Sequence, residues 1–336
     1  QAAYESNRVG MENWTLNSLQ QRLMAGALGV PFMPTRSVLG SAIAEDNAAS
    51  FKTMEDPFGT GVEVGLASAL SPDISIVHGC VADIEGNTIL AAPYGEDLWG
   101  ALASKGGVIV TVEKIVSTGF IKKYAALVKI PAYAVSAVAP APLGLHPFSL
   151  ANPGIRGLDA YEKDVDFLNA LYEASASDPA LDEWIKEWVL HCADHGQYLE
   201  KLGKDRIAGL KEKSRRVKTD FAFVSSAEYS GVAEFQPKEM MLIALAREIR
   251  ASVEKKGHRL VLAGAGAAAT AAFLAYYQLK SAGFELGTGN GQIGYTPVPG
   301  ESILASEAGV RSSKILTDTI MMQGVFVGGE NNRCLS

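Results

Sequence analysis

Short, continuous apolar runs rich in β-branched residues recur along the first half of the chain. Residues 74–78 (ISIVH), 107–112 (GVIVTV) and 132–138 (AYAVSAV) have this pattern. Runs without polar alternation are typical of strands that are buried on both faces, as in parallel sheets. Helical periodicity occurs elsewhere, as in residues 21–29 (QRLMAGALG), which end at a glycine of the kind that terminates helices. The alternation of the two patterns predicts an α/β fold.

The second half repeats this organisation. A helical pattern over residues 237–253 precedes a strand at 258–263 (HRLVLA). A turn and a helix over 264–279 then lead to a new strand at 283–286 (GFEL). We therefore predict two related open, mostly parallel sheet domains flanked by helices. The predicted divisions are a first domain over residues 1–200, a basic linker over 201–235 and a second domain over 236–336.

The composition is that of an ordinary globular protein. Of the 336 residues, 48% are hydrophobic and 20% are charged, which excludes disordered and fibrous classes. The net charge of −7 supplies no positive field for a nucleic acid. No apolar run is long enough to span a bilayer, and no signal peptide is recognisable. The charge and the short apolar runs therefore predict neither nucleic-acid nor membrane partners. The three cysteines are too scattered for a disulfide framework, so we expect a cytoplasmic protein.

The most distinctive local motif is Gly264-x-Gly266-x-x-Ala269, which follows a predicted strand and opens a predicted helix. Glu285 lies 21 residues after Gly264. Glycines at such a turn let the backbone approach a pyrophosphate, the helix N-terminus attracts an anion, and a later acid can bind a ribose. A nicotinamide-dependent oxidoreductase is therefore one hypothesis. A different anion or thioester site, or simple close packing, explains the same small residues.

Two histidines have a spacing that can bind zinc. His191 and His195 are four residues apart, which brings two imidazoles together when both lie on one helix. The residue after the first is Cys192, where zinc proteases carry a glutamate, and no cysteine pair accompanies them. We therefore predict no metal site.

A series of short motifs follows in a fixed order through the first half. They are Ala25–Pro34 (AGALGVPFMP), Asp56–Phe58 (DPF), Pro72–His78 (PDISIVH), Ala82–Asn87 (ADIEGN), Val110–Val116 (VTVEKIV), Ile130–Pro131 and Gly144–Pro147 (GLHP). The second half has Glu239-Met240-Met241 ahead of a helix and then the Gly264–Gly266 turn. Together these motifs resemble the family I CoA-transferases of the glutaconate CoA-transferase type. The first half resembles an α subunit, and the second resembles the start of a β subunit.

The resemblance implies coenzyme A as a co-substrate, with no permanently bound cofactor. The implied substrates are an acyl-CoA and a carboxylic acid, including dicarboxylic acids. The implied assembly is self-association or association with a partner subunit. Family α subunits begin with a strand and a glycine-rich turn that we do not find after Gln1, and the β-like half stops early. We therefore expect the first domain to be incomplete at its N-terminus and the second at its C-terminus.

The family carries CoA on the glutamate of a Glu-x-Gly motif, whose carboxylate attacks the thioester. Two alignments compete in this chain. Glu285-Leu286-Gly287 is a literal match and makes Glu285 the catalytic nucleophile. In the second alignment, Gly289-Asn290-Gly291 corresponds to the Glu-x-Gly motif, and Gly289 stands in the position of the glutamate. The spacing from Gly264 and the Ile293-Gly294 pair that follows favour this second alignment.

Family members without this glutamate act on CoA thioesters by C–C hydrolysis or decarboxylation, and such reactions need another acid/base. Glu12 is the catalytic candidate in that case, because the segment before the Ala25–Pro34 motif faces the active site in the family. A dry cleft would raise the pKa of Glu12 toward neutrality. CoA transfer is the primary prediction, and hydrolysis or decarboxylation is the alternative.

Further residues are assigned to binding. The Gly264–Gly266 turn and Gly40-Ser41 are candidates for oxyanion or CoA contacts. Arg36 is the candidate for the distal carboxylate of a dicarboxylic acid. The complete set of predicted CoA- and substrate-binding residues is Gly264, Gly266, Gly289, Asn290, Gly291, Gly40, Ser41 and Arg36.

Overall fold

The described part of the chain divides into two compact units. The computed structural model describes residues 8–215, 236–263, 266–279, 283–297 and 307–327. The first unit comprises Gln1–Thr111, Ile115–Ala139 and Thr317–Ser336, and the second comprises Val112–Lys114 and Pro140–Leu316.

The first unit opens with helix α1, Leu16–Leu28, and a small antiparallel sheet. Thr15 begins the helix by accepting a hydrogen bond from the Ser18 N–H at 3.0 Å. Gly29 ends it with a φ of 69°, which confirms the predicted helix end. The sheet has the strand order β1-β3-β2. The bounds are β1 Phe32–Thr35, α2 Ala42–Asp46, β2 Phe51–Glu55 and β3 Glu63–Ser68.

A five-stranded sheet with the order β7-β5-β4-β6-β8 forms the centre of the first unit. Ser75 N–H donates to Gly107 O at 3.4 Å, and the His78 ring lies 2.9 Å from the Thr111 hydroxyl. The difference in residue number between the two partners is nearly the same in both pairs, which shows that β4 and β6 run parallel. Strand β5 pairs antiparallel with both β4 and β7. The bounds are β4 Ser75–Asp83, β5 Thr88–Ile89, α3 Glu96–Ala103, β6 Val108–Val116, α4 Thr118–Lys123, β7 Val128–Ile130 and β8 Val135–Pro140.

These strands confirm the three apolar runs of the sequence. Val108 and Val110 of β6 and Cys80 of β4 are fully buried, as expected for strands in the middle of a sheet. The third predicted run begins with a 3-10 turn, Ala132–Ala134, before β8 continues it.

Helices make up most of the second unit between residues 165 and 215. The bounds are α5 Val165–Ala174, α6 Asp178–Ile185, a π turn Lys186–Leu190, α7 His195–Leu202 and α8 Lys204–Arg215. The predicted basic linker thus begins in helices, with Leu210 of α8 buried, and its residues 216–235 lie outside the described residues. His191 follows the π turn, whereas His195 is the first residue of α7. The assumption that both histidines lie on one helix is therefore wrong.

A buried polar network joins the loop at residue 146 to these helices. The His146 ring lies 3.0 Å from the Asp164 carboxylate through Nε2 and 2.5 Å from the Tyr198 hydroxyl through Nδ1. Arg206 donates to both oxygens of Asp164, at 2.5 and 2.8 Å. Burial lowers the pKa of His146, so its neutral ring donates from Nε2 to Asp164 and accepts from Tyr198 at Nδ1. Burial, with the nearby charge of Asp164, raises the pKa of Tyr198 to about 12.

We expect this network to make the protein less stable as the pH falls from 7 to 5. The pKa of His146 is lower in the folded protein than in the unfolded chain, so the unfolded state binds the extra proton first. The free energy of unfolding should be constant well above pH 6.5 and should then fall by at most about 1.4 kcal/mol per pH unit. Urea unfolding at several pH values measures this slope.

His146→Gln should flatten the dependence of the free energy of unfolding on pH. The control is His191→Gln, which should leave this dependence unchanged because His191 is exposed. Equal slopes in the wild type and His146→Gln would contradict the prediction.

The second unit also contains a four-stranded sheet with the order β12-β11-β10-β9. Strands β9 and β10 are parallel, with Val261 beside Leu286, and the other pairs are antiparallel. Leu286, Tyr295 and Phe284 are at the centre of its apolar core. The bounds are α9 Pro237–Lys256, β9 Leu260–Leu262, α10 Ala267–Gln278, β10 Glu285–Gly287, β11 Gln292–Ile293, α11 Glu307–Ser312 and β12 Ile315–Leu316. The helices and strands predicted from residue 237 to residue 286 are confirmed, and so is the α/β class.

The last described segment of the chain packs in the first unit. It runs from Thr317 through the π helix Ile320–Val327. Asp318 forms an isolated β-bridge with Tyr94, and Thr319 and Met322 are buried. A stretch from the end of the predicted second domain therefore contributes to the core of the first unit. No helix among the described residues has the length and apolar character that a membrane crossing requires.

Candidate functional site

The N-terminus of α10 follows the carboxyl end of β9. The parallel pairing brings this end beside the end of β10, where the Ala263 N–H donates to Gly287 O at 2.8 Å. Gly266 begins α10 with a φ of 68°, a left-handed conformation that a residue with a side chain rarely adopts. The free N–H groups of the first turn of α10 can hold a developing negative charge at this edge of the sheet. Gly264 lies outside the described residues.

The segment Gly289-Asn290-Gly291 forms the turn after β10. Thr288 N–H donates to Gln292 O at 2.8 Å, and Gly291 N–H donates to Thr288 O at 3.1 Å. The Thr288 hydroxyl donates to the Asn290 side-chain oxygen. Gly291 has a φ of 108°, which explains a glycine at this position. Because β9 and β10 are parallel neighbours, this turn and Gly266 lie at the same edge of the sheet.

Glu285 lies at the other end of β10. It is the first residue of the strand, beside Leu260 at the start of β9. Its carboxylate accepts a hydrogen bond from Lys314, and its side chain is 35% exposed against 66% for Lys314. This hydrogen bond raises the pKa of Lys314. Glu285 is thus an accessible, ion-paired carboxylate at the amino end of β10.

Gln292 is a candidate that sequence reasoning missed. Its side chain is fully buried, and neither its amide oxygen nor its amide nitrogen has a hydrogen-bond partner among the described residues. Burying an amide without partners is costly, which marks Gln292 as a group that can bind a ligand or a water molecule. The available signal was a polar residue directly after the Gly289–Gly291 turn.

The predicted acid/base Glu12 is held by Arg22, which sequence reasoning also missed. Arg22 is buried on α1 and donates to Glu12 at 3.3 Å and to Ser68 O at 3.0 Å. Its guanidinium lies 4.4 Å from the centre of the Trp14 ring. The Glu12 side chain remains 54% exposed, so its carboxylate is oriented by Arg22 and accessible at the same time.

The other predicted residues of the first unit lie in the loop between β1 and α2. Arg36 is exposed. Val38 and Gly40 both have positive φ values, 61° and 68°. The Ser41 hydroxyl donates to Val38 O at 2.6 Å, so it closes this turn. Positive φ is unusual for valine and indicates a tightly determined loop conformation.

The structure therefore assigns the predicted residues to two groups. Gly266, Glu285 and Gly289–Gly291 belong to the second unit, whereas Glu12, Arg36 and Gly40–Ser41 belong to the first. In the described ranges, no three His, Cys, Asp or Glu side chains form a group that could hold a metal ion.

Comparison with known proteins identifies the class. Residues 1–140 match the family model described as Coenzyme A transferase. The chain is 30% identical over 222 residues to one of the subunits of glutaconate CoA-transferase from Acidaminococcus fermentans, and the match covers 62% of this chain and 67% of that relative. The chain belongs to the coenzyme A transferase family, as the sequence motifs predicted.

Two solved structures and a second relative are also similar to this chain. Glutaconate CoA-transferase from A. fermentans has a TM-score of 0.55 at 29% identity, covering 62% of this chain and 68% of that chain. An acyl-CoA transferase from Escherichia coli O157:H7 covers 98% of this chain and 49% of its own, with a TM-score of 0.57. At 16% identity this second likeness shows the fold alone. A cholesterol ring-cleaving hydrolase IpdA subunit of Rhodococcus jostii is 28% identical over 183 residues, covering 52% of this chain and 59% of that relative.

Proposed function

We propose that this protein transfers coenzyme A between carboxylic acids. The observation that carries the proposal is its relation to glutaconate CoA-transferase. The chain spans about two thirds of the related subunit, so the activity and substrates of a complete enzyme are part of the proposal. The nicotinamide hypothesis gains no support from the proteins named above.

Glu285 is the proposed nucleophile for transfer. Its carboxylate attacks the acyl-CoA carbonyl to form a C–O bond, the C–S bond breaks, and CoA leaves as a thiolate, which produces a mixed anhydride between the acyl group and Glu285. The thiolate then attacks the glutamyl carbonyl and releases the acyl group as a free carboxylate, which leaves CoA on the enzyme as a thioester. A second carboxylic acid reverses both steps and departs as the new acyl-CoA. The pair with Lys314 is solvent-exposed and weak enough to open for this reaction.

The glycine turns are proposed to contact the substrate at the edge of the sheet opposite Glu285. N–H groups at the start of α10, together with Gly264, Gly266 and the turn Gly289–Gly291, are proposed to hold the CoA during transfer, or the developing oxyanion if the second candidate function below applies. Within the first unit, Gly40 and Ser41 are the proposed contacts for CoA or an oxyanion. Arg36 is exposed and therefore available for the distal carboxylate of a dicarboxylic acid.

A second candidate function is hydrolysis of a C–C bond in an acyl-CoA, or decarboxylation of an acyl-CoA, with Glu12 as the acid/base. Two observations favour it. Gly289, the residue that the spacing places on the family motif, lies at the carboxyl edge of the sheet, whereas Glu285 lies at the opposite end of β10. Arg22 orients the Glu12 carboxylate without burying it. A ring-cleaving hydrolase subunit is also among the relatives.

We propose that the active form is an assembly in a reducing compartment. The two family relatives described above are named as subunits, which supports a partner subunit or self-association. In the part of the chain that the structure describes, Cys80 and Cys192 are not joined in a disulfide, which supports a cytoplasmic location.

Mass spectrometry of CoA products distinguishes the two functions. A panel of acyl-CoA thioesters is offered to the protein with acetate as the acceptor in ¹⁸O-water. Transfer predicts that acetyl-CoA forms and that the released acid contains no ¹⁸O. The oxygen that the acyl group gains comes from a carboxylate and not from water. A CoA product that gains water or loses carbon dioxide, with no acetyl-CoA, would overturn transfer in favour of the second candidate.

A further inference from the structure

Arg22 of helix α1 has more hydrogen-bond donors than the described residues use. Its side chain is buried, and a guanidinium group carries five N–H donors. Nε donates to Ser68 O at 3.0 Å, Nη2 donates to the Ser68 hydroxyl at 3.4 Å, and Nη1 donates to Glu12 at 3.3 Å. Two N–H groups, one on each terminal nitrogen, therefore remain without a partner in the described part of the chain.

A further unused donor lies beside this guanidinium. The Arg22 guanidinium carbon lies 4.4 Å from the centre of the Trp14 ring, and the buried indole N–H of Trp14 also has no hydrogen-bond partner among the described residues. All of these unused groups are donors, so only an acceptor can fill them. A carboxylate is the acceptor that suits a guanidinium best, because two parallel N–H···O bonds can join the two planar groups.

The carboxylate of Glu12 shows that this position takes such an acceptor. Glu12 contacts Arg22 through one oxygen only, and its side chain is 54% exposed. It belongs to an exposed stretch, residues 9–13, that forms neither helix nor strand. The main chain of this stretch is anchored next to Glu12, because the Asn47 side chain donates to Asn13 O at 2.7 Å. The Glu12 side chain can therefore leave Arg22 alone, and a ligand can reach Nη1 from the solvent that Glu12 already contacts.

This position adjoins the predicted substrate contacts of the first unit. The Thr15 hydroxyl, directly before α1, lies 3.0 Å from the Ser37 hydroxyl. Ser37 belongs to the loop between β1 and α2, which also contains Arg36 and Gly40–Ser41. The segment that carries Glu12 is thus hydrogen-bonded to the loop that carries these candidates.

We propose that Arg22 binds a carboxylate of the acid substrate and that Glu12 occupies this position only in the free protein. A ligand carboxylate replaces a single contact of 3.3 Å with two N–H···O bonds, and it preserves the negative charge that a buried guanidinium requires. Glu12 is released to the solvent at the same time, and its carboxylate becomes free for the acid/base role of the second candidate function. The inference rests on the proposed function for the identity of the ligand, a carboxylic acid.

Binding of a simple acid tests this assignment without requiring turnover. The probe is butyrate, with butyramide as its neutral counterpart, and calorimetry on the full chain gives the dissociation constants. Butyrate should bind and butyramide should not. Glu12→Ala should tighten butyrate binding about tenfold, the factor expected if Glu12 blocks the position in about nine-tenths of the free molecules. Arg22→Lys should weaken it about tenfold, because an ammonium cannot form the two parallel bonds.

Opposite effects from the two partners of one ion pair distinguish a ligand site from a structural pair. The matched controls are Glu254→Ala and Arg250→Lys, which alter an Arg–Glu pair of the second unit at 3.1 Å. Both should leave butyrate binding unchanged.

Thermal unfolding with and without butyrate checks the fold of each variant. Butyrate should raise the melting temperature of Glu12→Ala more than that of the wild type, because it returns the missing negative charge to Arg22. If alanine at this position prevents folding, Glu12→Gln takes its place in both measurements, with the same direction of change expected.

The same measurements can overturn the proposal. Weaker binding of butyrate by Glu12→Ala would make the contact with Arg22 part of the fold. Unchanged binding by both Glu12→Ala and Arg22→Lys would place the carboxylate elsewhere, and equal binding of butyramide, or no binding of butyrate by Glu12→Ala, would mean that Arg22 holds no ligand carboxylate. Absence of CoA transfer with every acid would refute the proposed function but would leave these dissociation constants unchanged, so the two failures are distinguishable.

Discussion

Glu285→Gln is expected to lower the rate of CoA transfer by about a thousandfold or more. The neutral amide that replaces the carboxylate can neither attack a thioester nor carry CoA as a glutamyl thioester. The rest of the site should remain, because glutamine keeps the size of the side chain and can still contact Lys314. Binding of acyl-CoA should therefore change much less than the rate.

Two measurements check this expectation. The initial rate of acetyl-CoA formation gives the loss of transfer directly. The mass of the intact wild-type protein after mixing with acyl-CoA, without an acceptor acid, should increase by the mass of bound CoA. Glu285→Gln should show no such increase.

The matched control is Glu254→Gln. Glu254 lies on the exposed part of α9 and pairs with Arg250 at 3.1 Å, so it is also an accessible, ion-paired glutamate of the second unit. Its substitution should leave transfer unchanged. Full transfer by Glu285→Gln would contradict the nucleophile assignment and favour the alignment with Gly289. In that case Glu12→Gln is the change expected to stop turnover.

Local signals explain why much of the fold was predictable. The β-branched run around Val110 identifies a buried strand because no charged side chain interrupts it. The glycine at residue 29 identifies a helix end because the conformation there has a positive φ. The Gly264–Gly266 motif and the order of the first-half motifs identified the family. Each signal depends on residues that are close together in the sequence.

The parts that escaped prediction depend on distant contacts. Arg22 contacts Ser68, 46 residues later, so its position between Glu12 and β3 is invisible from α1 alone. The pair of Glu285 with Lys314, 29 residues later, depends on β10 and β12 each pairing antiparallel with β11. The burial of Gln20 follows from the packing of α1 against α3, whereas its sequence neighbours give no sign of it.

Asp164→Asn is expected to destabilise the second unit by about 2 kcal/mol, less than for a fully buried pair because the Arg206 side chain is 36% exposed. The Asp164 side chain is 4% exposed and accepts hydrogen bonds from His146 and from both donors of Arg206. Burial alone would raise the pKa of Asp164, but the hydrogen bonds from Arg206 and His146 hold it far below its ordinary range. Asparagine removes the negative charge and leaves the Arg206 guanidinium without its partner. The stability lost by Asp164→Asn therefore measures the contribution of the ion pair between Asp164 and Arg206.

Asp164 also caps helix α5, and Asp164→Asn should leave this second role nearly unchanged. Its Oδ1, which also accepts from Arg206, accepts the Phe167 N–H at 3.0 Å and caps α5, and asparagine caps helices about as well as aspartate. Trp188 reports the unfolding of this region, because its ring lies 4.8 Å from that of Phe167. Urea unfolding followed by tryptophan fluorescence should show a lower midpoint with an unchanged slope.

The matched control for this measurement is Asp159→Asn. Asp159 also pairs with two basic side chains, Lys211 at 3.1 Å and Arg215 at 2.9 Å, but it is 49% exposed. An exposed pair is worth about 1 kcal/mol or less, so this variant should unfold close to the wild type. If the two variants lost equal stability, burial would not be the cause of the effect, and the network around Asp164 would contribute no more than a surface ion pair.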